Sequence, residues 1–330
     1  MRSVGEKFDV VALGELLMDM TMNGLSGQGN ALYEANPGGA PCNVLAMLKK
    51  LGHSVAFIGK VGDDIFGHEL RKVLEEVGID PAGLVTDPEV HTTLAFVKTF
   101  EDGDRDFSFY RNPGADMMLK RSDIDMELVR NSGIFHFGTL SMTHDKVREA
   151  TICALEEARN AGVLISFDPN LREPLWDSLE NAKAQVQKGL EYCDILKISD
   201  NEIAWLTGKE DYTEGVEWIF ARYKVRLVTV SLGKNGSLAF YRKDPDAPSY
   251  IKTEAKPFIQ KDTIETTGAG DTFGGCVLHF VLENGLEALD ETKLKEMLMF
   301  ANAAASIITT RRGALRVMPD ISEIRSLVDG

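Results

Sequence analysis

The residues with the clearest capacity for chemistry lie in one short segment, Thr267-Gly268-Ala269-Gly270-Asp271, which opens an apolar helical pattern. The two glycines allow a tight turn that directs several backbone N–H groups to one point. The helix dipole adds positive potential there, which suits a phosphate group being transferred. Asp271 can accept the proton of an attacking hydroxyl as a general base, or it can simply cap the helix. The segment alone leaves both roles open.

Two common nucleotide-binding motifs are absent from the sequence. There is no GxxxxGK followed by Ser or Thr, which excludes a P-loop enzyme. The glycines at positions 268, 270, 274 and 275 do not fit GxGxxG, because position 273 is Phe, and a dinucleotide-binding fold is therefore disfavoured. The six histidines show no metal-ligand spacing, and His136 lies in an apolar run that is typical of a packed core strand.

Short apolar runs typical of strands alternate with longer helical patterns along the chain. This alternation predicts an α/β fold, with a mostly parallel sheet and helices on both of its faces. The predicted strands are Phe8–Leu13, Val55–Ile58, Ile134–Phe137, Val163–Phe167, Ile195–Ile198, Leu227–Ser231 and Ser237–Tyr241. The predicted helices are Pro41–Leu51, Phe66–Val77, Lys146–Ala161, Leu179–Glu191, Glu214–Tyr223, Thr272–Glu283 and Leu294–Thr309.

The stretch from His91 to Arg111 departs from this alternation. Two strand-like runs, Thr93–Val97 and Phe107–Tyr110, flank the segment Glu101-Asp102-Gly103-Asp104, and Asp-Gly favours a tight hairpin turn. A hairpin inserted into an α/β chain indicates an accessory sheet. We interpret it as a lid.

Composition and charge limit the classes of function. The chain has 330 residues, of which 44% are hydrophobic and 26% charged, as in an ordinary globular protein. Its net charge of −15 repels nucleic acids and acidic membranes, so neither is expected as a partner. The four cysteines form no CxxC pair, which favours a reducing compartment. Because no signal-peptide core or membrane-length apolar run occurs, we expect a cytoplasmic protein.

Two groups of motifs give the chain a resemblance to a known family. The first group is Gly38-Gly39-Ala40-Pro41-Cys42-Asn43 with the run from Gly59 to Gly67, and the second is Gly268–Asp271. In this order they resemble the two signatures of the ribokinase-like (PfkB) carbohydrate kinases. The motifs that lie between them are Phe109–Asp116, Phe167–Arg172 and Pro174-Leu175-Trp176. The last two of these resemble fructokinases most, although 2-keto-3-deoxygluconate kinases share much of them.

The resemblance covers nearly the whole chain, from Gly14 to Gly313. It implies a single ribokinase-like domain over residues 1–330, with lid strands from about 15–36 and 91–112. It also implies transfer of a phosphoryl group from ATP to a primary hydroxyl of a sugar, with Mg²⁺ as a cofactor. With these motifs present, the general-base role of Asp271 is favoured over the capping role.

The resemblance assigns expected roles to individual positions. The backbone at Gly268, Ala269 and Gly270 is expected to face the transferred phosphate beside the catalytic Asp271. The expected sugar-binding residues are Asp19, Gly39, Asn43, Arg111 and Arg172, and those for ATP are Ser231, Gly233, Gly236 and Asn302. Glu202 falls in a motif that the family uses for magnesium and phosphate, and we expect it to act on the metal through water.

Two positions depart from the family pattern. The motif NxxE begins here with Ser199, which supplies a hydroxyl but no amide. The family often has aspartate next to the TTGAGD run, where this chain has Glu265, and activation by K⁺ therefore stays open.

The sequence leaves the substrate and the assembly open. Fructose is the first candidate, and the second is 2-keto-3-deoxygluconate, whose carboxylate Arg111 and Arg172 would clamp. The alternative outside enzymes is a catalytically inactive regulatory relative, but an intact Asp271 argues against it. Because lid sheets with exposed edges often pair, we also expect a homodimer formed through the lid.

Overall fold

A computed structural model describes residues 7–99 and 105–330 of the chain, so the predicted turn Glu101-Asp102-Gly103-Asp104 lies outside the described residues. The strands are β1 (Phe8–Leu13), β2 (Leu17–Leu25), β3 (Ala31–Gly38), β4 (Val55–Gly62), β5 (Asp80–Asp87), β6 (Leu94–Thr99), β7 (Arg105–Tyr110), β8 (Ser132–Gly138), β9 (Leu164–Asp168), β10 (Ile195–Ser199), β11 (Leu227–Ser231), β12 (Ser237–Tyr241) and β13 (Ile251–Ala255). The α-helices are α1 (Ala40–Lys50), α2 (Ile65–Val77), α3 (Met126–Arg130), α4 (Asp145–Asn160), α5 (Leu179–Leu190), α6 (Asp200–Thr207), α7 (Tyr212–Phe220), α8 (Ala269–Asn284), α9 (Glu291–Ile308) and α10 (Ile321–Asp329).

Nine strands form one large sheet in the order β13-β12-β11-β10-β9-β8-β1-β4-β5. Its strands from β11 to β5 are parallel to their neighbours, whereas β12 and β13 pair antiparallel at one edge. The carboxyl ends of the parallel strands therefore meet along one rim of the sheet. In open α/β sheets this rim is where ligands bind.

A second, smaller sheet has the order β3-β2-β6-β7. The pairs β2–β3 and β6–β7 are antiparallel, and β2 and β6 are parallel to each other. Its strands come from the two segments, about 15–36 and 91–112, for which the sequence predicts a lid. The strands β2 and β3 leave the large sheet directly after β1 and return the chain to α1.

Helices cover both faces of the large sheet and divide the core in two. Alternate residues of β1 point to opposite faces, with Val10 and Ala12 in one buried cluster and Val11 and Leu13 in the other. The first cluster is completed by α1, α2, α8, α9 and α10, and the second by α3 to α7. Helices α1 and α8, which come from opposite halves of the sequence, pack side by side on the same face.

Local sequence explains the helix ends that matter for the site. Helix α1 has Pro41 in its first turn, where a missing backbone donor has no cost, and basic Lys49 and Lys50 in its last turn. Helix α6 begins with a capping box, in which Ser199 and Glu202 bond each other's backbone N–H groups. Helix α8 is preceded by Gly268, whose φ of 74° lies in the left-handed region.

The predicted α/β fold, with a mostly parallel sheet and a small accessory sheet, is confirmed. The edge strand β5 was not predicted, because Pro81 and Gly83 are typical of a loop. The strand can form because proline is tolerated on an edge strand. Strand β13 and the short helices α3, α6 and α10 were also not predicted. Within the described residues, a helix with both the length and the apolar character needed to span a bilayer is lacking.

Candidate active site

A cavity of about 610 Å³ lies between the rim of the large sheet and the small sheet. The ends of β10 and β11, the loop after β9 and the start of α8 form its floor, and β2, β3, β6 and β7 contribute its other side. Its polar and charged lining residues are Glu15, Asp19, Thr21, Asn36, Asn43, Asn170, Arg172, Lys197, Ser199, Glu202, Ser231, Glu265, Thr266, Thr267 and Asp271. The cavity thus combines the sheet rim with residues of the predicted lid.

Asp271 is buried in the first turn of α8 and lines this cavity. Its Oδ2 accepts a hydrogen bond from Asn43 Nδ2 at 2.7 Å, and its Oδ1 accepts one from Asn170 Nδ2 at 3.3 Å. The residue at the cap position is Gly268, and no side chain among the described residues caps this helix. The capping role that the sequence left open is therefore excluded by the position of the side chain.

Burial raises the pKa of Asp271, while the Asn43 hydrogen bond, Lys197 and Arg172 oppose that rise. A carboxylate with a raised pKa is a stronger base than an exposed one. The environment of Asp271 thus suits proton acceptance.

The start of α8 leaves room for a group to approach its backbone. The first turn of a helix carries N–H groups without partners inside the helix. A Cβ at Gly268 would lie 2.8 Å from the Ala314 Cβ, and a Cβ at Gly270 would lie 3.0 Å from Lys197 Nζ. The left-handed backbone and the close Ala314 contact favour glycine at position 268, and the contact at Gly270 shows that the Lys197 ammonium lies close to this turn. The combination of helix dipole, N–H donors and a cation is suited to an anion such as a phosphate.

Asn43 and Gly39 lie at the start of α1, opposite Asp271. The Asn43 side chain is buried and its Oδ1 has no hydrogen-bond partner among the described residues. A buried acceptor without a donor costs free energy, and a ligand hydroxyl in the cavity would satisfy it. Gly39 has φ of 137°, and a Cβ there would lie 2.4 Å from the Glu15 backbone oxygen. Glycine at this position allows the turn between β3 and α1.

Two carboxylates of the small-sheet side face the same space. Burial raises the pKa of Asp19 to about 7, and Arg172 opposes this rise. Burial likewise raises the pKa of Glu15 to about 7, although its Oε1 accepts a hydrogen bond from the Ala40 N–H at 2.9 Å. Asp19 is thus placed as expected for a residue that binds hydroxyl groups, whereas Glu15 was not singled out from the sequence.

The two arginines expected at the sugar have different surroundings. Arg172 is exposed, lines the cavity and interacts electrostatically with Asp19 and Asp271. Arg111 instead is buried in an ion pair with Asp116 at 2.6 Å, and it also donates to the Leu140 backbone oxygen at 2.9 Å. Its Nη1 donates to the hydroxyl of Thr143. Arg111 therefore holds protein groups together and does not line the cavity, contrary to the expectation that it binds the sugar.

The residues expected at ATP are spread along one side of the cavity and beyond it. Ser231, at the end of β11, lines the cavity. Gly233 begins the turn after β11 with open space around it, and a Cβ at Gly236 would lie 2.2 Å from the Ala255 backbone oxygen. The buried Asn302 side chain donates to the backbone oxygens of Ala255 and Lys256 and is absent from the cavity lining. Asn302 thus has a structural contact here, in place of the contact with ATP expected from the sequence.

Glu202 and Glu265 line the cavity but are held by backbone groups. Glu202 accepts hydrogen bonds from the Leu171 N–H and from the Ser199 N–H and hydroxyl. These bonds and Lys197 lower its pKa against the opposing effect of burial, so the carboxylate is ionised. Glu265 Oε1 accepts the Gly313 N–H at 2.8 Å, which joins the loop before α8 to the loop after α9.

Lys197 is the main site residue that sequence reasoning missed. It lies on β10 at the floor of the cavity, and its Nζ forms an ion pair with Asp168 Oδ2 at 2.9 Å. Burial raises the pKa of Asp168 to about 7 despite this pair. The available signal was a lysine inside the apolar run Ile195–Ile198, because a charge on a buried central strand needs a partner or a function.

Comparison with known proteins identifies the family of the chain. Residues 7–321 match the model of the pfkB family carbohydrate kinases. A probable fructokinase-3 of Arabidopsis thaliana is 39% identical over 330 residues, which span 99% of this chain and 93% of the relative.

Two solved structures extend the similarity to the fold. A fructokinase of Xylella fastidiosa with bound ATP superposes with a TM-score of 0.87 at 29% identity, over 97% of this chain and 98% of the other. A double mutant of the Vibrio cholerae fructokinase, bound to fructose, ADP and potassium ion, gives a TM-score of 0.83 at 29% identity, over 99% and 100% of the two chains. With a family match over nearly its full length, this chain belongs to the pfkB family of carbohydrate kinases.

Proposed function

We propose that this chain is an ATP-dependent fructokinase that phosphorylates a primary hydroxyl of fructose. The observation that carries the proposal is the buried Asp271 carboxylate, held by two asparagine amides in a cavity at the start of α8. The identity of the sugar is supported by relatives that are named fructokinases and cover nearly the whole chain.

In the proposed reaction the sugar lies between α1 and the small sheet. Asn43 Oδ1 accepts a hydrogen bond from one sugar hydroxyl, and the Asp19 carboxylate accepts others. Asp271 then takes the proton of the reacting primary hydroxyl, and that oxygen attacks the γ-phosphorus of ATP. The bond from the γ-phosphorus to the bridging oxygen breaks, and ADP leaves.

The charge on the transferring phosphoryl group grows next to the first turn of α8. The N–H groups near Gly268 and Gly270 and the ammonium of Lys197 stabilise it electrostatically, without rearrangement. This local positive potential is necessary on a protein whose net charge is −15. The acidic lining on the sugar side would otherwise repel the triphosphate.

Magnesium fits the donor set on the nucleotide side. Mg²⁺ prefers oxygen ligands, keeps several waters and usually binds one or two carboxylates plus substrate phosphates. The ionised Glu202 lines the cavity near Lys197 and would hold a hydrated ion through water. When bound, the ion neutralises phosphate charge.

The alternative substrate, 2-keto-3-deoxygluconate, has less support in this cavity. It would require Arg111 and Arg172 to clamp a carboxylate, but Arg111 is neutralised by Asp116. The remaining cation on this side, Arg172, lies among the carboxylates of Asp19 and Asp271, which would repel an acid substrate.

We also propose that the chain forms a homodimer through the small sheet and acts in the cytoplasm. Four large apolar side chains of β2, β3 and β7 are exposed, namely Leu25, Leu32, Tyr33 and Tyr110. Of these, Tyr33 and Tyr110 both pack against the Phe96 ring and so share one face of the sheet. Burying this apolar face against a second copy is favourable, and a monomer by light scattering would contradict this assembly. The cytoplasm supplies ATP and keeps the free cysteines reduced.

The test of function is ADP release over a panel of sugars that contains fructose, ribose, glucose and 2-keto-3-deoxygluconate. We expect fructose to have the highest kcat/KM. A dominant 2-keto-3-deoxygluconate activity would overturn the choice of sugar, and no activity on any sugar would favour a regulatory relative. The same assay in potassium, and in a bulky organic cation in its place, decides whether K⁺ increases the rate of ADP release.

A further inference from the structure

Two histidines that are 226 residues apart in the sequence meet beside α8, remote from the cavity. His53 follows the end of α1, and its Nε2 lies 2.8 Å from the Nδ1 of His279 on α8. Glu283 lies one turn after His279 on the same helix. One ligand atom from each of these three residues falls within 4.8 Å of the other two. The sequence shows no metal-ligand spacing here because tertiary packing alone brings the residues together.

The three groups form a donor set suited to a transition metal. Two imidazole nitrogens and a carboxylate are ligands that Zn²⁺ binds at about 2.0–2.2 Å, with water completing a tetrahedron. Two nitrogens at those bond lengths are about 3.3 Å apart. The rings of His53 and His279 therefore need to separate by about half an ångström. Glu283 is exposed at the helix surface, so its side chain can rotate towards the ion.

A carboxylate stands behind the more buried histidine. His53 Nδ1 lies 3.8 Å from Asp9 Oδ2, and that oxygen also accepts hydrogen bonds from the Ser54 N–H at 2.7 Å and the Ser54 hydroxyl at 2.8 Å. Metal-binding histidines commonly have such a carboxylate on the ring nitrogen that does not bind the metal, since it fixes the tautomer and the ring orientation. Although 3.8 Å is longer than a hydrogen bond, the nearby Asp9 carboxylate favours a proton on His53 Nδ1, and this tautomer would leave Nε2 free to bind a metal ion.

Aromatic side chains hold the second histidine in place. The Phe280 and Phe300 rings pack against His279 and restrict its rotation.

We propose that His53, His279 and Glu283 form a binding site for a zinc-type divalent transition-metal ion, with water as the fourth ligand. The site ties the segment after α1 to α8. These two helices carry Asn43 and Asp271 in their first turns, and His279 lies eight residues, about 12 Å, beyond Asp271 along α8. The ion would therefore stabilise the packing of the two helices that position the Asn43–Asp271 contact.

The test is a zinc titration of the reduced, tag-free and metal-stripped full chain without nucleotide, in competition with a chromophoric chelator. Wild type is expected to bind one ion per chain, and zinc is expected to raise its Tm. His279→Gln removes a ligand and is expected to weaken binding by more than about 100-fold, since even outer partners of metal ligands contribute about 10–100-fold. Glu283→Gln changes an exposed side chain and is therefore expected to fold. If His279→Gln folds poorly, the zinc affinity of Glu283→Gln decides the outcome.

Two control variants locate the ion. His68→Gln removes an exposed histidine that pairs with Asp63 elsewhere, and it is expected to leave zinc affinity unchanged. Asp271→Asn tests whether zinc binds in the cavity instead. Zinc affinity that is unchanged in both Glu283→Gln and His279→Gln overturns the proposal, as does affinity lost only in Asp271→Asn. The absence of zinc binding in wild type would show that the histidines form a simple hydrogen-bonded pair.

Discussion

Replacing Asp271 by asparagine separates a proton-accepting role from a structural role. Asp271 Oδ2 accepts from Asn43 Nδ2 at 2.7 Å and Oδ1 accepts from Asn170 Nδ2 at 3.3 Å. An asparagine at position 271 has the same size but only one acceptor oxygen. One of the two contacts therefore becomes a contact between two NH₂ groups, and the side chain loses its basicity.

Two opposite effects determine the change in the free energy of unfolding. Loss of the shorter charge-assisted hydrogen bond costs about 1.5–3 kcal/mol. In the other direction, burial raises the pKa of Asp271 above its usual 3.8. The native state then binds more protons than the unfolded state, so the free energy of unfolding falls as pH rises above 3.8. An uncharged amide at position 271 removes this destabilisation. We expect a net change within about 1 kcal/mol, or about 3 °C in Tm.

The effect on catalysis is expected to be much larger. Removing a general base lowers kcat by about 10²–10⁴-fold, which corresponds to about 2.7–5.4 kcal/mol in the activation barrier. ATP affinity is expected to stay the same or to increase, because a negative charge near the phosphates is removed. The assay combines a thermal melt, an ATP titration and fructose-dependent ADP release on the same preparation.

The matched control is Asp290→Asn, the same acid-to-amide change at a true helix cap. Asp290 caps α9 by accepting the Lys293 N–H at 2.9 Å, and asparagine caps a helix about as well as aspartate. This variant is expected to keep wild-type stability and activity. Near-normal turnover of a well-folded Asp271→Asn protein would refute the assignment of the base.

The remaining predictions concern the two cations of the cavity. Arg172→Ala is expected to leave the melting curve nearly unchanged, because the side chain is exposed. It is expected to lower kcat/KM by at least about 10-fold, which corresponds to the loss of one charge-assisted hydrogen bond. Equal losses of stability and activity would make Arg172 a structural residue. The double variant Lys197→Met with Asp168→Asn removes the buried ion pair as a unit, so that neither charge is left alone. It is expected to fold and to lose about 10²–10³-fold in kcat, whereas wild-type kcat in this variant would exclude Lys197 from phosphate stabilisation.

The distribution of charge explains where the prediction of site residues from the sequence was insufficient. The motif placed Arg111 next to a strand end, but the sequence does not show that Asp116, five residues later, folds back and neutralises its guanidinium in the interior. Lys197 is the opposite case, a residue that the sequence did not predict in the site and that the structure places there. Its sequence context indicates a core strand, and only the arrangement of β9, β10 and α8 shows that its ammonium lies between Asp168 and the Gly270 backbone.

The sequence by itself determined the alternation of strands and helices, the glycine turn before α8 and the family, because these depend on local periodicity and on short contiguous motifs. Tertiary structure alone decided which distant side chains meet. Asn43 and Asp271 are 228 residues apart and share a hydrogen bond, and the packing of α1 on α8 also brings His53 to His279. The capping question was settled in the same way, since the position of the Asp271 carboxylate depends on amides from α1 and from the loop after β9. Contacts between residues far apart in the chain have no local signature, because burial and hydrogen bonding depend on the packed neighbours and not on the neighbours in sequence.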